Sequence, residues 1–141
     1  MDKINVVLDP SAIMPTRAHN NDAGLDLYTP FFAMVPASGR CVIDTGVHIG
    51  IPAGYVGKLE SKSGLMRDHG ITCRGTIDAG FSGSIKVVVF NHSDKPYIFE
   101  AGDKVTQLVL YPIVTPNPVK TETLFEHDTE RGDGEFGSSG K

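Results

Sequence analysis

Gly75-Thr76-Ile77-Asp78-Ala79-Gly80-Phe81-Ser82-Gly83 sets one carboxylate and one aromatic ring between glycines. Upstream, Ile71-Thr72-Cys73 reads as extended, and downstream Ile85-Lys86-Val87-Val88-Val89-Phe90 is a β-branched strand. The stretch is therefore a hairpin. Gly75, Gly80 and Gly83 permit positive φ and let a ligand approach the backbone. Taken alone, it reads first as a bulged hairpin whose Asp caps a turn.

Working outward, short apolar runs separated by turn residues continue in both directions. Before the hairpin lie strands over 3–8, 22–28, 31–35, 40–44, 47–51 and 55–59. Pro52-Ala53-Gly54 is a turn in which Pro fixes φ and Gly takes the left-handed position. Leu65 to His69 is expected to form one or two helical turns, stopped by Gly70. After the hairpin come a turn at 91–96, a short strand at 97–99 and a last long strand from Lys104 to Tyr111. About ten short strands at this spacing predict an all-β sandwich, jelly roll or barrel. Beyond Pro112 the composition changes. Pro112, Pro116 and Pro118 stiffen a connector, and 131–141 is a Gly/Ser-rich tail expected to be mobile without ligand.

The chain has 141 residues and a net charge of −4, with 40% hydrophobic and 21% charged residues. That describes one globular domain and excludes whole-chain disorder. A nucleic-acid binder would carry a basic stripe, so no nucleic-acid partner is expected. No apolar run reaches the length of a membrane span and Met1-Asp2-Lys3 does not open a signal peptide, so no membrane partner is expected and the cytoplasm is the default. Cys41 and Cys73 read as reduced packing thiols, and the five His residues show no zinc spacing.

The remaining polar, glycine-flanked positions are Asp26, Lys62-Ser63-Gly64, Asp78, Gln107 and the tail residues Arg131, Phe136, Ser138 and Ser139. Ser-Gly backbone amides with hydroxyls and a cation make a nest for phosphate oxygens. There is no GxxxxGK[ST] loop. Asp26 alternates with Leu25 and Leu27, so it is either a solvent-facing strand Asp or a carboxylate able to hold Mg²⁺ with substrate phosphates. Phe136 offers a face for a base, which neither an engineered Gly-Ser linker nor a chance Arg-Gly-Asp would explain. A magnesium-dependent nucleotide site with a closing tail follows.

Five stretches, in order, resemble the motifs of the trimeric all-β dUTPase family (deoxyuridine 5'-triphosphate nucleotidohydrolases). They are Asp22-Ala23-Gly24-Leu25-Asp26-Leu27, Ser61-Lys62-Ser63-Gly64-Leu65, Gly75 to Gly83, Gly102-Asp103-Lys104-Val105-Thr106-Gln107-Leu108, and Arg131 to Gly140. The resemblance implies a distorted jelly-roll β-barrel over 1–115, with an extended C-terminal arm and nucleotide-closing tail over 116–141. It implies Mg²⁺-dependent hydrolysis of dUTP to dUMP and pyrophosphate, which limits uracil in DNA and supplies dUMP for thymidylate synthesis. Asp78 would activate the water, and Asp26 would hold Mg²⁺ through water. Lys62, Ser63, Gly64 and Gln107 would meet phosphates. Thr72, Thr76, Ile77, Phe81 and Lys86 would line the base and sugar site. Phe136 would cover uracil, with Arg131, Gly137, Ser138 and Ser139 around the phosphates. The implied assembly is a homotrimer with shared sites, in the cytoplasm or a host's cytoplasm if the source is viral.

Three positions depart from the family pattern. Lys62 stands for the usual Arg, giving a point charge without the bidentate fork. Phe81 stands for Tyr, and Glu135 for a common Gly. The hairpin tip, Ile71 to Arg74, matches least and lacks an asparagine often found there. Two rivals remain at this stage: a dCTP deaminase of the same fold, and a non-catalytic or moonlighting binding protein.

Overall fold

In the computed structural model, which describes residues 3–140, β-branched alternation builds nearly every element. The strands are β1 (Val6–Leu8), β2 (Leu25–Tyr28), β3 (Ala33–Val35), β4 (Arg40–Asp44), β5 (Val47–Ile49) and β6 (Tyr55–Glu60), followed by β7 (Ile71–Ile77), β8 (Lys86–Asn91), β9 (Tyr97–Phe99) and β10 (Lys104–Pro112). One helix, α1 (Ser63–His69), joins β6 to β7. Met1, Asp2 and Lys141 fall outside the described residues, as do the expectations that rest on them: the N-terminal start and the last residue of the arm.

A curled six-stranded sheet, in order β2-β10-β6-β7-β8-β4, is completed by the pairs β1-β5 and β3-β9. All pairings are antiparallel. This is the all-β architecture that the strand spacing predicts, in the jelly-roll form that the resemblance implies. In β8, Val87 and Val89 are fully buried while Lys86 is exposed. They close a single core with Leu27, Val35, Phe99, Val105 and Leu108. Each such side chain contributes about 1.5–3 kcal/mol on burial.

The turns obey the expected chemistry in part. Gly70 ends α1 with φ 66°, its N–H donating back into the helix. Gly80 takes φ 82° as the third residue of a turn closed by Phe81 N–H on the Asp78 carbonyl at 3.1 Å. Gly75 and Gly83 do not adopt positive φ; their bareness serves close packing instead. A Cβ on Gly75 would stand 2.7 Å from Leu59 Cδ1, and one on Gly83 2.5 Å from the Phe81 ring.

Several boundaries also move. The first strand covers only 6–8 and the fifth stops at Ile49, where Gly50 N–H turns back to the Asn5 carbonyl. The helix begins two residues before Leu65. Beyond β10, Ile113 N–H donates to the Gly54 carbonyl at 2.9 Å. From there the described chain is exposed, its hydrogen bonds running within the arm.

Candidate active site

Asp26 lies mid-β2, opposite Gln107 of β10, which lies opposite Glu60 of β6. Directly opposite residues share a sheet face. In a regular strand Lys104 and Gln107, three apart, would face opposite ways. The register of β10 against β2 slips between Lys104 and Thr106, a bulge that brings both side chains to the face of Asp26. Lys104 Nζ then stands 2.8 Å from Asp26 Oδ2, and Lys62 Nζ 2.5 Å from Oδ1.

Lys62 is aimed by its neighbour. Ser61 Oγ donates to the Cys73 carbonyl at 3.1 Å and accepts its N–H at 2.9 Å, pinning the end of β6 to β7. Thr106, buried, donates to the Glu60 carbonyl at 2.9 Å one step away. Gln107 Nε2 donates to the Ser61 carbonyl at 3.3 Å, and its side chain lies so close over Gly24 that a Cβ there would meet Oε1 at 2.2 Å. The first, second and fourth motifs thus form one interlocked cluster.

Asp26 is not solvent-facing. It is 5% exposed, and both its oxygens are taken by ammoniums. Burial opposes its charge, but Lys104 and Lys62 outweigh that and hold the carboxyl below its ordinary value of 3.8. A depressed folded pKa stabilises the protein above the unfolded value and is lost as pH falls through the folded one. We expect Asp26→Asn to cost about 2 kcal/mol at neutral pH, less than a fully buried pair because both lysines reach solvent. Urea unfolding of the two proteins should converge in acid, as pH falls below 3.8 and through the folded value.

One carboxylate lies between two ammoniums, with Glu60 on the same face beyond Gln107. Among the described residues no group of three His, Cys, Asp or Glu gathers as a metal cage. Such a donor set fits Mg²⁺, which keeps several waters and takes other ligands from substrate phosphates.

The hairpin residues lie elsewhere in the same chain. Asp78 is exposed at the start of the loop, and the Phe81 ring beyond it is 46% exposed. Ile77 is buried in the core at 7% exposure, so its side chain is not offered to a ligand. Thr76 Oγ1 accepts from Lys58 Nζ at 2.8 Å, and Thr72 Oγ1 lies 2.7 Å from His92 Nε2. Thr72 also borders a cleft of about 600 Å³ with Phe90, Met66 and Arg74. Lys86 stands opposite Asp44 of β4, on the far side of the sheet order from Lys62. Ser63 and Gly64 open α1, whose first amides have no partner within the helix.

In the arm, Arg131 Nε donates to the Gly134 carbonyl at 3.1 Å, and Ser138 N–H to the Glu135 carbonyl at 3.0 Å. Arg131, Glu135, Phe136, Gly137, Ser138 and Ser139 line one shallow hollow. Phe136 is fully exposed.

Gly24, Ser61 and Lys104 were quoted in the motifs without a role in the site. Only the bulge and the close approach to Gln107 reveal what they do.

An all-β fold that gathers two lysines and a glutamine around one buried carboxylate is the scaffold this chain presents. A family model, dUTPase, matches residues 10–140. The deoxyuridine 5'-triphosphate nucleotidohydrolase of Candida albicans is 44% identical over 134 residues, covering 94% of this chain and 84% of its own length. Among solved structures, the Staphylococcus bacteriophage 80alpha dUTPase with dUPNHPP is similar at a TM-score of 0.93 and 32% identity over 100% of both chains. A variant of the S. aureus phage phi11 dUTPase, whose structure reveals the coordination of a structural Mg(II) ion, gives 0.81 at 29% identity, covering 86% of this chain and 98% of that one. This chain belongs to the dUTPase family.

Proposed function

We propose that the protein hydrolyses dUTP to dUMP and pyrophosphate, with water attacking the α-phosphorus. The observation that carries this reading is the juxtaposition of Asp26, Lys62, Lys104 and Gln107 on one face, in a chain of the dUTPase family. That membership does not favour a deaminase. Lys62 and Gln107, with the Ser63 and Gly64 amides, receive the phosphates. Lys62 and Lys104 would turn from Asp26 to phosphate oxygens, leaving Asp26 as the carboxylate that would hold Mg²⁺ through water. The ion, when bound with the triphosphate, offsets charge on the departing pyrophosphate. Asp78 accepts a proton from the attacking water.

One chain does not bring Asp78 to its own Asp26. From β2 to β7 there are three strand-to-strand steps. Asp26 sits level with Glu60, whereas the pairing Gly57↔Ile77 puts Asp78 level with Val56. At about 4.8 Å between strands and 3.3 Å per residue, the path along the sheet from one carboxylate to the other is on the order of 20 Å. A general base and a phosphate clamp for one nucleotide must lie far closer. That separation supports a site assembled between subunits of a homotrimer, with the arm serving a neighbour. We take the barrel as 1–115 and the arm as 116–141; segment 114–130 extended spans about 50 Å, enough to cross an interface.

Uracil is read by main-chain groups near Thr72, Thr76 and Ile77, where cytosine would present a donor to a donor. Such mispairing costs on the order of 10⁴-fold. Phe81 and Lys86 complete the base and sugar side, while Phe136 stacks on uracil and Arg131, Gly137, Ser138 and Ser139 close on the phosphates. No helix among the described residues is long and apolar enough to cross a membrane. The free thiols Cys41 and Cys73 fit a reducing cytoplasm.

A pyrophosphate-release assay over dUTP, dTTP, dCTP and UTP tests this function. We expect release from dUTP alone, because the Phe81 ring excludes a 2′-hydroxyl without needing a phenol. Ammonia from dCTP would reject the reading in favour of a deaminase. UTP turnover rivalling dUTP, suppressed by Phe81→Tyr, would overturn the steric assignment of Phe81.

A further inference from the structure

The loop carrying Asp78 and Phe81 is tied down along its return limb. Gly80 N–H donates to the Ile51 carbonyl at 3.3 Å, and Ile85 N–H to the Val47 carbonyl at 2.8 Å. The Thr45 hydroxyl donates to the Ile85 carbonyl at 2.8 Å, and the Ser84 hydroxyl donates to Asp44. One further tie runs through a titratable ring. His48, on β5, has Nδ1 2.8 Å from the Ser82 carbonyl and Nε2 3.0 Å from Asp9 Oδ1.

Both partners are acceptors, so both ring nitrogens must carry a proton, and a neutral imidazole carries one. Only the imidazolium completes the bridge. The charges facing His48 are Asp9 from the loop after β1 and Asp44 from the end of β4, with Lys86 of β8 opposite Asp44. Val7 of β1 lies opposite His48 and adds none. The Ser82 carbonyl and Asp9 hold the imidazole above its ordinary range, and partial burial pulls the other way.

We propose that His48, as the imidazolium, is a positioning residue for dUTP hydrolysis: it clamps the Ser82 carbonyl to Asp9 and so fixes where Asp78 and Phe81 stand. This rests on the role given to Asp78 above. Because the folded pKa is raised, the clamp is complete at low pH and loses a bond as pH rises through the folded value. The activity profile then has an alkaline limb that belongs to His48.

The test combines an NMR titration with steady-state kinetics. Ring signals of His48 and the backbone amides of 78–82 are followed from acid to mildly alkaline pH. The amides should move with the ring's midpoint, and Asp9→Asn should lower that midpoint. In wild type, kcat should fall about tenfold on the alkaline side while KM stays within about twofold, as expected of a misplaced base. That limb should vanish in His48→Ala and His48→Gln and persist in His19→Ala, a control for a surface histidine remote from the loop. Amides indifferent to the ring, or an alkaline limb unchanged in both His48 variants, overturns the proposal. If no dUTP is hydrolysed at all, the role of Asp78 falls, and the amide titration alone decides the clamp.

Discussion

Replacing Asp78 with asparagine should lower kcat for dUTP about 10³-fold, within the range a positioned general base supplies. Asparagine keeps the shape and the turn, since the turn is closed by the Asp78 carbonyl and not by its side chain. The carboxylate is exposed, so its replacement leaves the core untouched and Tm should not move. Affinity for dUPNHPP should change little, because the proposed phosphate contacts lie in the Lys62 cluster. The pattern to look for is a fall in kcat with KM nearly constant, which marks an interaction made in the transition state. A loss below tenfold would remove Asp78 from the chemistry.

Removing residues 116–141 should lower kcat/KM by about 10²- to 10³-fold. A base stacked on Phe136 is worth about 1–3 kcal/mol, and a charged hydrogen bond from Arg131 about 1.5–3 kcal/mol. Phe136 is fully exposed and Leu124 is 90% exposed, so the arm lends the barrel little. The truncated protein should therefore keep the wild-type Tm. Phe136→Ala alone should account for about tenfold or more, at one stacked base. Full activity in the truncated protein would deny the arm any part in catalysis.

Much of the fold is legible because local chemistry and tertiary packing agree. The buried Ile85, Val87 and Val89 against exposed Lys86 follow from period-two alternation, and Gly70 and Gly80 adopt the left-handed backbone their turns require. Gly75 misleads because a bare Cα serves two purposes, and here a neighbouring Leu59 uses it. The site is harder to read. Alternation sets Asp26 against Leu27 but does not say that two lysines from β10 and the α1 entrance will cover it. Lys104 is invisible without the bulge, since ordinary parity sends it away from Gln107. The separation of Asp26 from Asp78 depends on strand order, which sequence spacing does not encode. Lys86 faces Asp44 for the same reason.

The most direct test of a site shared between subunits is complementation. Asp26→Asn and Asp78→Asn proteins, each inactive, are unfolded, mixed in equal amounts and refolded together. If one chain supplies Asp26 and another Asp78, random assembly restores about one quarter of wild-type dUTP hydrolysis, since each site needs one intact copy from each donor. If both carboxylates of a site come from the same chain, every site carries one lesion and the mixture stays as inactive as its parts.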